Sequence, residues 1–199
     1  MFTKTEIVNL ALLRLALDPV ESLSTGENHL NRHLHLCWEV ALAGILQDHP
    51  WAFARRRKPL AAMADSCIGF AYAYVYPEDC ARACRVISAA STFNRSDPSG
   101  AAFEIGRNID GRHKVVLTDL PKAALEYTSS QVPYEEFPPL FVNALIWRLA
   151  AELAESVKNS GREQVAAMQS YRAKLEAAQA ADNAEWSAVC TPISHMFGA

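Results

Sequence analysis

The sequence predicts an α+β protein in which an N-terminal helix pair and two long C-terminal helices form a helical bundle, with a small antiparallel β region inserted between them. Two changes of period carry this reading. Apolar residues recur at three and four positions up to Asp48 and again after Pro138, whereas the stretch between them alternates with period two. A third observation is Asp110-Gly111, a turn pair placed between two alternating runs. Residues 1–50 and 134–185 are assigned to the bundle and 51–133 to a β-rich insertion. Residues 186–199 are read as a C-terminal tail that docks on a partner.

The elements follow in order. Thr3 and Glu6 have the spacing of a capping box, and Ile7, Leu10, Ala11, Leu15 and Leu17 continue a first helix from Thr3 to Leu17, stopped by Asp18-Pro19. Leu30, Leu34, Cys37, Trp38, Ala41 and Ile45 define a second helix, ended near Asp48 because the residue before Pro50 disfavours the α region. In "IGFAYAYVYP", Phe70, Tyr72, Tyr74 and Tyr76 alternate with other residues as one aromatic face of a strand. "ACRVISAA" is a second strand, "AFEIGRNIDGRHKVVLT" a hairpin and "AALEYTS" a further strand.

From Pro138, Val142, Leu145, Ile146, Leu149, Leu153 and Val157 make one apolar stripe, and Leu140, Ala144, Trp147, Ala151 and Ala154 make another. A helix apolar on two faces needs two partners. Gly161, with Ser160 and Glu163, ends this helix and opens an alanine-rich one over 162–182, weakly amphipathic through Val165, Met168, Tyr171, Leu175 and Ala178. It reads as a projecting or oligomer-facing helix. The tail carries Trp186, Val189, Ile193, Met196 and Phe197, apolar residues where chain ends are usually polar.

Half of the 199 residues are apolar and 21% charged, the balance of a folded globular chain, and the formal net charge of -3 provides no global basic field for nucleic acid. Five cysteines without regular spacing describe no disulfide framework, which points to a reducing compartment. "IVNLALLRLAL" is interrupted by Asn9 and Arg14 and lacks a basic leader, and no run approaches the roughly 20 apolar residues of a membrane span. No membrane association is expected.

Signatures of catalysis are absent from the sequence, so the chain is read as a non-enzyme without cofactor or metal. Its eight glycines match no phosphate-loop spacing, and there is no G-x-S-x-G elbow. His29, His33 and Cys37 stand at i, i+4 and i+8, a donor set that zinc accepts, but i to i+8 spans about 12 Å of helix rise, too far for one ion. They read instead as the polar border and core of an amphipathic helix. Cys80 and Cys84 are spaced more widely than a C-x-x-C pair, and Glu78-Asp79 and Glu135-Glu136 flank prolines as turn residues.

The sharpest local feature is Arg55, Arg56, Arg57 and Lys58, directly after Trp51 and Phe53. Trp51 and Phe53 are assigned to the core at a helix-to-sheet junction. The basic run has two readings: one face of a strand leaving a helix, or a contact with phosphates. The second defines an alternative function, a cytoplasmic nucleic-acid-binding module that uses Arg55 to Lys58 together with the tyrosine strand as a stacking surface.

The order of parts adds a resemblance. His49-Pro50-Trp51 with Phe53, Ala54 and Leu60, the link Tyr76-Pro77-Glu78-Asp79-Cys80, and Phe137-Pro138-Pro139 opening the helix of Leu149, Ala150 and Leu153 together resemble the tail tubular protein A family of short-tailed bacteriophages, over about Ile7 to Arg172. These are packing residues, not a catalytic signature. The resemblance implies a structural virion protein, assembled in the host cytoplasm, that forms a homo-oligomeric, dodecameric ring as head-to-tail adaptor. Its implied partners are the portal protein, the tail nozzle protein and double-stranded DNA passing through the channel without sequence specificity. It also implies that Arg55, Arg56, Arg57 and Lys58 pair with acids across subunit contacts or line the DNA route. The interface role is preferred, because a strongly basic lumen holds DNA back. Leu140, Ala144, Trp147 and Ala151 become subunit-packing candidates, and the tail residues dock on the portal or an adjacent subunit.

Overall fold

A computed structural model describes residues 2–23, 29–63, 69–89 and 100–188. The chain divides into two compact units, Met1–Phe53 with Val132–Ala199, and Ala54–Gln131.

The first unit is helical: α1 (Lys4–Arg14), α2 (His29–Asp48), a 3-10 turn (Tyr134–Glu136), α3 (Pro139–Ser156) and α4 (Gly161–Ala188). α1 starts with the capping box read from the sequence, in which Thr3 N–H donates to Glu6 Oε2 at 2.7 Å and Glu6 N–H donates to Thr3 Oγ1 at 3.3 Å. It ends three residues short of Leu17. Ala16 takes a positive φ of 52°, while Leu17 N–H donates to Leu12 O and Ala16 N–H to Leu13 O, the paired bonds of a Schellman stop.

α3 buries Val142, Leu145, Ile146, Leu149 and Leu153 of its first stripe and Ala144, Ala151 and Ala154 of its second, while Leu140 stays exposed and Trp147 half-buried. Its partners are α1, α2 and α4, so the second partner that its pattern demands lies within the chain. α4 packs along α3 and therefore does not project freely. Over residues 161–185 of α4 a narrow stripe is buried, Ala167, Tyr171, Ala178 and Asp182, and Val165 faces outward. This helix is 28 residues long and runs through Trp186 to Ala188, past the expected end at Asp182.

The second unit corrects the expected fold class. α+β holds, but a helical bundle with only a small β region does not: among the described residues six strands form two separate three-stranded antiparallel sheets. They are β1 (Arg55–Pro59), β2 (Tyr72–Val75), β3 (Cys80–Ser88), β4 (Phe103–Arg107), β5 (Lys114–Thr118) and β6 (Ala123–Ser129). The first sheet has the order β1-β6-β3 and the second β2-β5-β4. The physical reason is that the basic run is itself a ladder strand on the edge of β6, and that β3 joins the other edge of β6 through two register shifts instead of pairing with its sequence neighbour.

Isolated bridges Ala62↔Tyr74 and Val86↔Ala101 bring the chain after β1 against β2 and the chain before β4 against β3. Tyr74, Val86, Val116, Ala123, Leu125 and Tyr127 form the core of this unit, drawn from both sheets. The β4–β5 hairpin is present, but its turn differs from the expected two-residue form. Gly111 alone has positive φ, 69°, and Asn108 N–H bonds His113 O at 2.9 Å across a four-residue loop.

Candidate functional site: arginines around two carboxylates

The basic run Arg55–Lys58 lies on β1, and strand alternation sends its side chains to opposite faces of the first sheet. Arg57 stands directly opposite Glu126 on β6, and Arg85 of β3 stands opposite the same residue on the other side. Glu126, only 5% exposed, receives Arg57 Nε on its Oε2 at 2.5 Å and Arg85 Nη2 at 3.2 Å, with Arg55 Nη1 at 3.9 Å from Oε1. Burial pushes this carboxyl up, but the hydrogen bond and charge of Arg57, reinforced by Arg85, outweigh it and hold Glu126 below the usual carboxylate range.

Arg56 points the other way. Its Nη1 lies 3.4 Å from Asp79 Oδ2, and its Nη2 donates to Gln131 O at 2.7 Å. Asp79, in the turn before β3, also accepts from Tyr127 Oη at 2.9 Å and Ser129 Oγ at 2.9 Å. Burial again raises the Asp79 carboxyl, and the Ser129 and Tyr127 hydroxyls together with Arg56 bring it down on balance. The Tyr127 phenol is pushed up to about 12 by burial and by its bond to Asp79. Lys58, paired in register with Leu125, is exposed.

Acids of the same chain therefore neutralise Arg55, Arg56 and Arg57, for which the sequence reading offered acids across a subunit contact, its preference, or the DNA route. Guanidinium groups stay protonated and carboxylates lowered by them stay ionised, so the cluster is a static brace rather than a proton shuttle. Glu126 is the residue that sequence reasoning misses. Its signal is a lone acid at the centre of "AALEYTS", where an unpaired charge in an apolar strand is prohibitively costly.

The resemblance residues of the helical unit meet at a second node. Trp51, 1% exposed, donates its indole N–H to Ile45 O at 2.7 Å, and its ring packs edge-on to Phe141. Phe53 packs against Phe137 and Phe141. Asp182 of α4 sits 2.9 Å from His49 Nε2 and accepts Ala52 N–H at 2.9 Å, while Tyr171 bonds Asp48.

Among the remaining candidates, Leu140 is 43% exposed and Trp147 half-buried under the Arg14 guanidinium, whereas Ala144 and Ala151 are buried within the chain and have no surface to offer a second subunit. Val189, Ile193, Met196 and Phe197 lie outside the described residues; Trp186 falls in the last turns of α4. Of the tyrosine strand, Tyr74 is buried with its hydroxyl on Leu120 O, which leaves Tyr72 as the exposed ring of β2. His29 and His33 are exposed on α2, Cys37 is buried with its Sγ 3.2 Å from Ser156 Oγ, and Cys80 and Cys84 are free thiols. Among the described residues no group of three or more His, Cys, Asp or Glu is placed to hold a metal ion, and no helix is long and apolar enough to cross a membrane. No protein-family model matches this sequence, and no curated protein is significantly similar to it.

Proposed function

We propose that this chain is a structural virion protein, a head-to-tail adaptor whose copies form a dodecameric ring between portal and tail nozzle and through which a phage genome passes. It performs no catalysis and carries no cofactor in this reading. The observation that supports it is the use to which the resemblance residues are put. Trp51, Phe53, Phe137, Leu149, Ala150 and Leu153 build the helical core, and Asp79 ties the turn of the Tyr76–Cys80 link to Tyr127 and Ser129 of β6. The shared pattern thus describes a scaffold. Leu36 and Val40, a turn apart on α2 and both more than half exposed, add an apolar surface of the kind that subunit contacts use.

The alternative, a nucleic-acid module centred on Arg55–Lys58, has three of its four cations engaged by Glu126 and Asp79. The test is the mass of the purified protein by light scattering, alone and with the portal of a short-tailed phage. A particle near twelve chains of 21.9 kDa, formed alone or only on the portal, is the expected result. A chain that stays monomeric and ignores the portal sinks the reading.

A further inference from the structure

Three of the four cations of the basic run are engaged in internal ion pairs, but a second group of cations, within eight positions of the sequence, stands at the tip of the β4–β5 hairpin. Over positions 107–114 the cations Arg107, Arg112 and Lys114 stand against a single acid, Asp110, in a chain whose net charge is -3. All of these except Asn108 are exposed, and Ile109, at 66%, is the most exposed of the large apolar side chains described.

The tip also stands clear of its own sheet. β2 pairs with β5 only over Val115–Thr118, and beyond that Tyr76 N–H makes one bond to Lys114 O. Past this bond the ladder continues with Arg107 opposite Lys114 and the Asn108 N–H bond to His113 O, so the ribbon runs on beyond the last β2–β5 pair by about three residues, about 10 Å at the strand rise of about 3.3 Å per residue. The loop is braced from within, as Arg107 Nη1 donates to Gly111 O at 3.0 Å and His113 N–H to Asn108 Oδ1 at 2.9 Å, and at its base Lys114 Nζ stacks 3.8 Å over the ring of Tyr76, the residue after β2.

We propose that this hairpin tip is a docking element for the phosphodiester backbone of duplex DNA, with Arg112 and Lys114 neutralising phosphates and Ile109 lying against sugars or base edges in the groove. Three features favour this partner. A two-stranded ribbon fits the roughly 12 Å width of a major groove. The cations flank the apolar residue on both sides along the ribbon, and the tip carries a local excess of positive charge in a chain that is acidic as a whole. A bilayer is a poorer match, because one isoleucine buries too little area to anchor a segment without a second signal. The inference deepens the adaptor reading, in which DNA is the traffic, and implies that the ribbon touches it in passing with few, salt-sensitive contacts.

The experiment is fluorescence anisotropy of a labelled random-sequence duplex titrated with the full chain over a range of salt concentrations. Arg112→Gln and Lys114→Gln are each expected to reduce the slope of log K against log salt by about one, as loss of one phosphate contact requires. Ile109→Ser is expected to weaken binding about three- to tenfold with the slope unchanged. Circular dichroism and the thermal midpoint establish that each variant is folded, and if Lys114→Gln disturbs the hairpin, Arg112→Gln alone decides.

The proposal is overturned if wild type does not bind the duplex at low salt, if Arg112→Gln leaves affinity and slope untouched, or if Lys58→Gln carries the loss instead. It is equally overturned if phosphatidylserine vesicles, and not the duplex, are bound through Ile109. Ring mass is a separate measurement: a ring with an inert tip sinks this inference alone, and a DNA-binding monomer sinks only the adaptor reading.

Discussion

Arg57 faces Glu126 directly across the β1–β6 ladder and closes on it at 2.5 Å, although the two residues are 69 positions apart in the chain. The contact joins an edge strand to the central strand of its sheet, and Arg85 repeats it from the opposite edge. Replacing Glu126 by Gln keeps the shape and removes the charge that three guanidiniums surround. The expected loss of stability is about 2–4 kcal/mol, somewhat below that of a fully buried broken pair because the arginines are partly exposed. Urea denaturation monitored by tryptophan fluorescence and circular dichroism measures it, and an unchanged midpoint refutes the brace.

The same carboxylates set an acid limb. Glu126 and Asp79 both titrate lower in the folded chain than in the unfolded one. Their contribution is therefore fully present above the unfolded values near 4.5 and 3.8 and is lost as pH falls through the folded values, where the unfolded state binds more protons. Stability plotted against pH should decline below about pH 5, and the decline should be shallower in Glu126→Gln. Parallel acid limbs in the two proteins would exclude Glu126 as a contributor.

Ala16 occupies the left-handed position of the stop after α1 with φ 52°, where a Cβ is strained. Ala16→Gly is expected to raise stability by about 0.5–1 kcal/mol, the strain relieved exceeding the extra freedom of glycine in the unfolded chain. A lowered thermal midpoint contradicts this account of the helix end.

Asp182→Ala removes the acceptor shared by His49 and the Ala52 N–H. Leaving those donors unsatisfied should cost about 1–3 kcal/mol. Hydrogen exchange should quicken in α4 near position 182 and at the Ala52 amide before it does elsewhere. Uniform acceleration over all helices would instead indicate global destabilisation without a local clasp.

The local parts of this fold are legible in the sequence and the pairings are not. Thr3 with Glu6 announces the α1 cap because both partners lie within one turn. The stripe of Leu34, Cys37, Trp38, Ala41 and Ile45 gives the buried face of α2 directly. The two stripes of α3 are equally visible, yet a sequence does not say who covers them, and here α1, α2 and α4 bury Ala144, Ala151 and Ala154 of the second while Leu140 stays exposed. Ala16 stops α1 early through backbone geometry, for which alanine gives no warning. The basic run misleads for a different reason. Its character depends on Glu126 and Asp79, which are distant in sequence and reach it only through the ladder order β1-β6-β3. The hairpin tip is the converse case: its cations are spread over eight positions with an acid among them, and only the turn at Gly111 gathers them.

Because neighbouring residues of β1 look to opposite sides, the run Arg55–Lys58 stores its information as odd and even positions. Odd positions serve Glu126 and the even Arg56 serves Asp79, so what matters is parity, more than the identity of any one cation. A lineage can exchange arginines along this strand with modest penalty, whereas deletion of a single residue between Trp51 and Arg55 swaps the two sets at a stroke. Because every position of the run is a cation, even that swap would leave Arg57 towards Asp79 and Arg56 with Lys58 towards Glu126, so four cations in succession insure this edge against an error of phase.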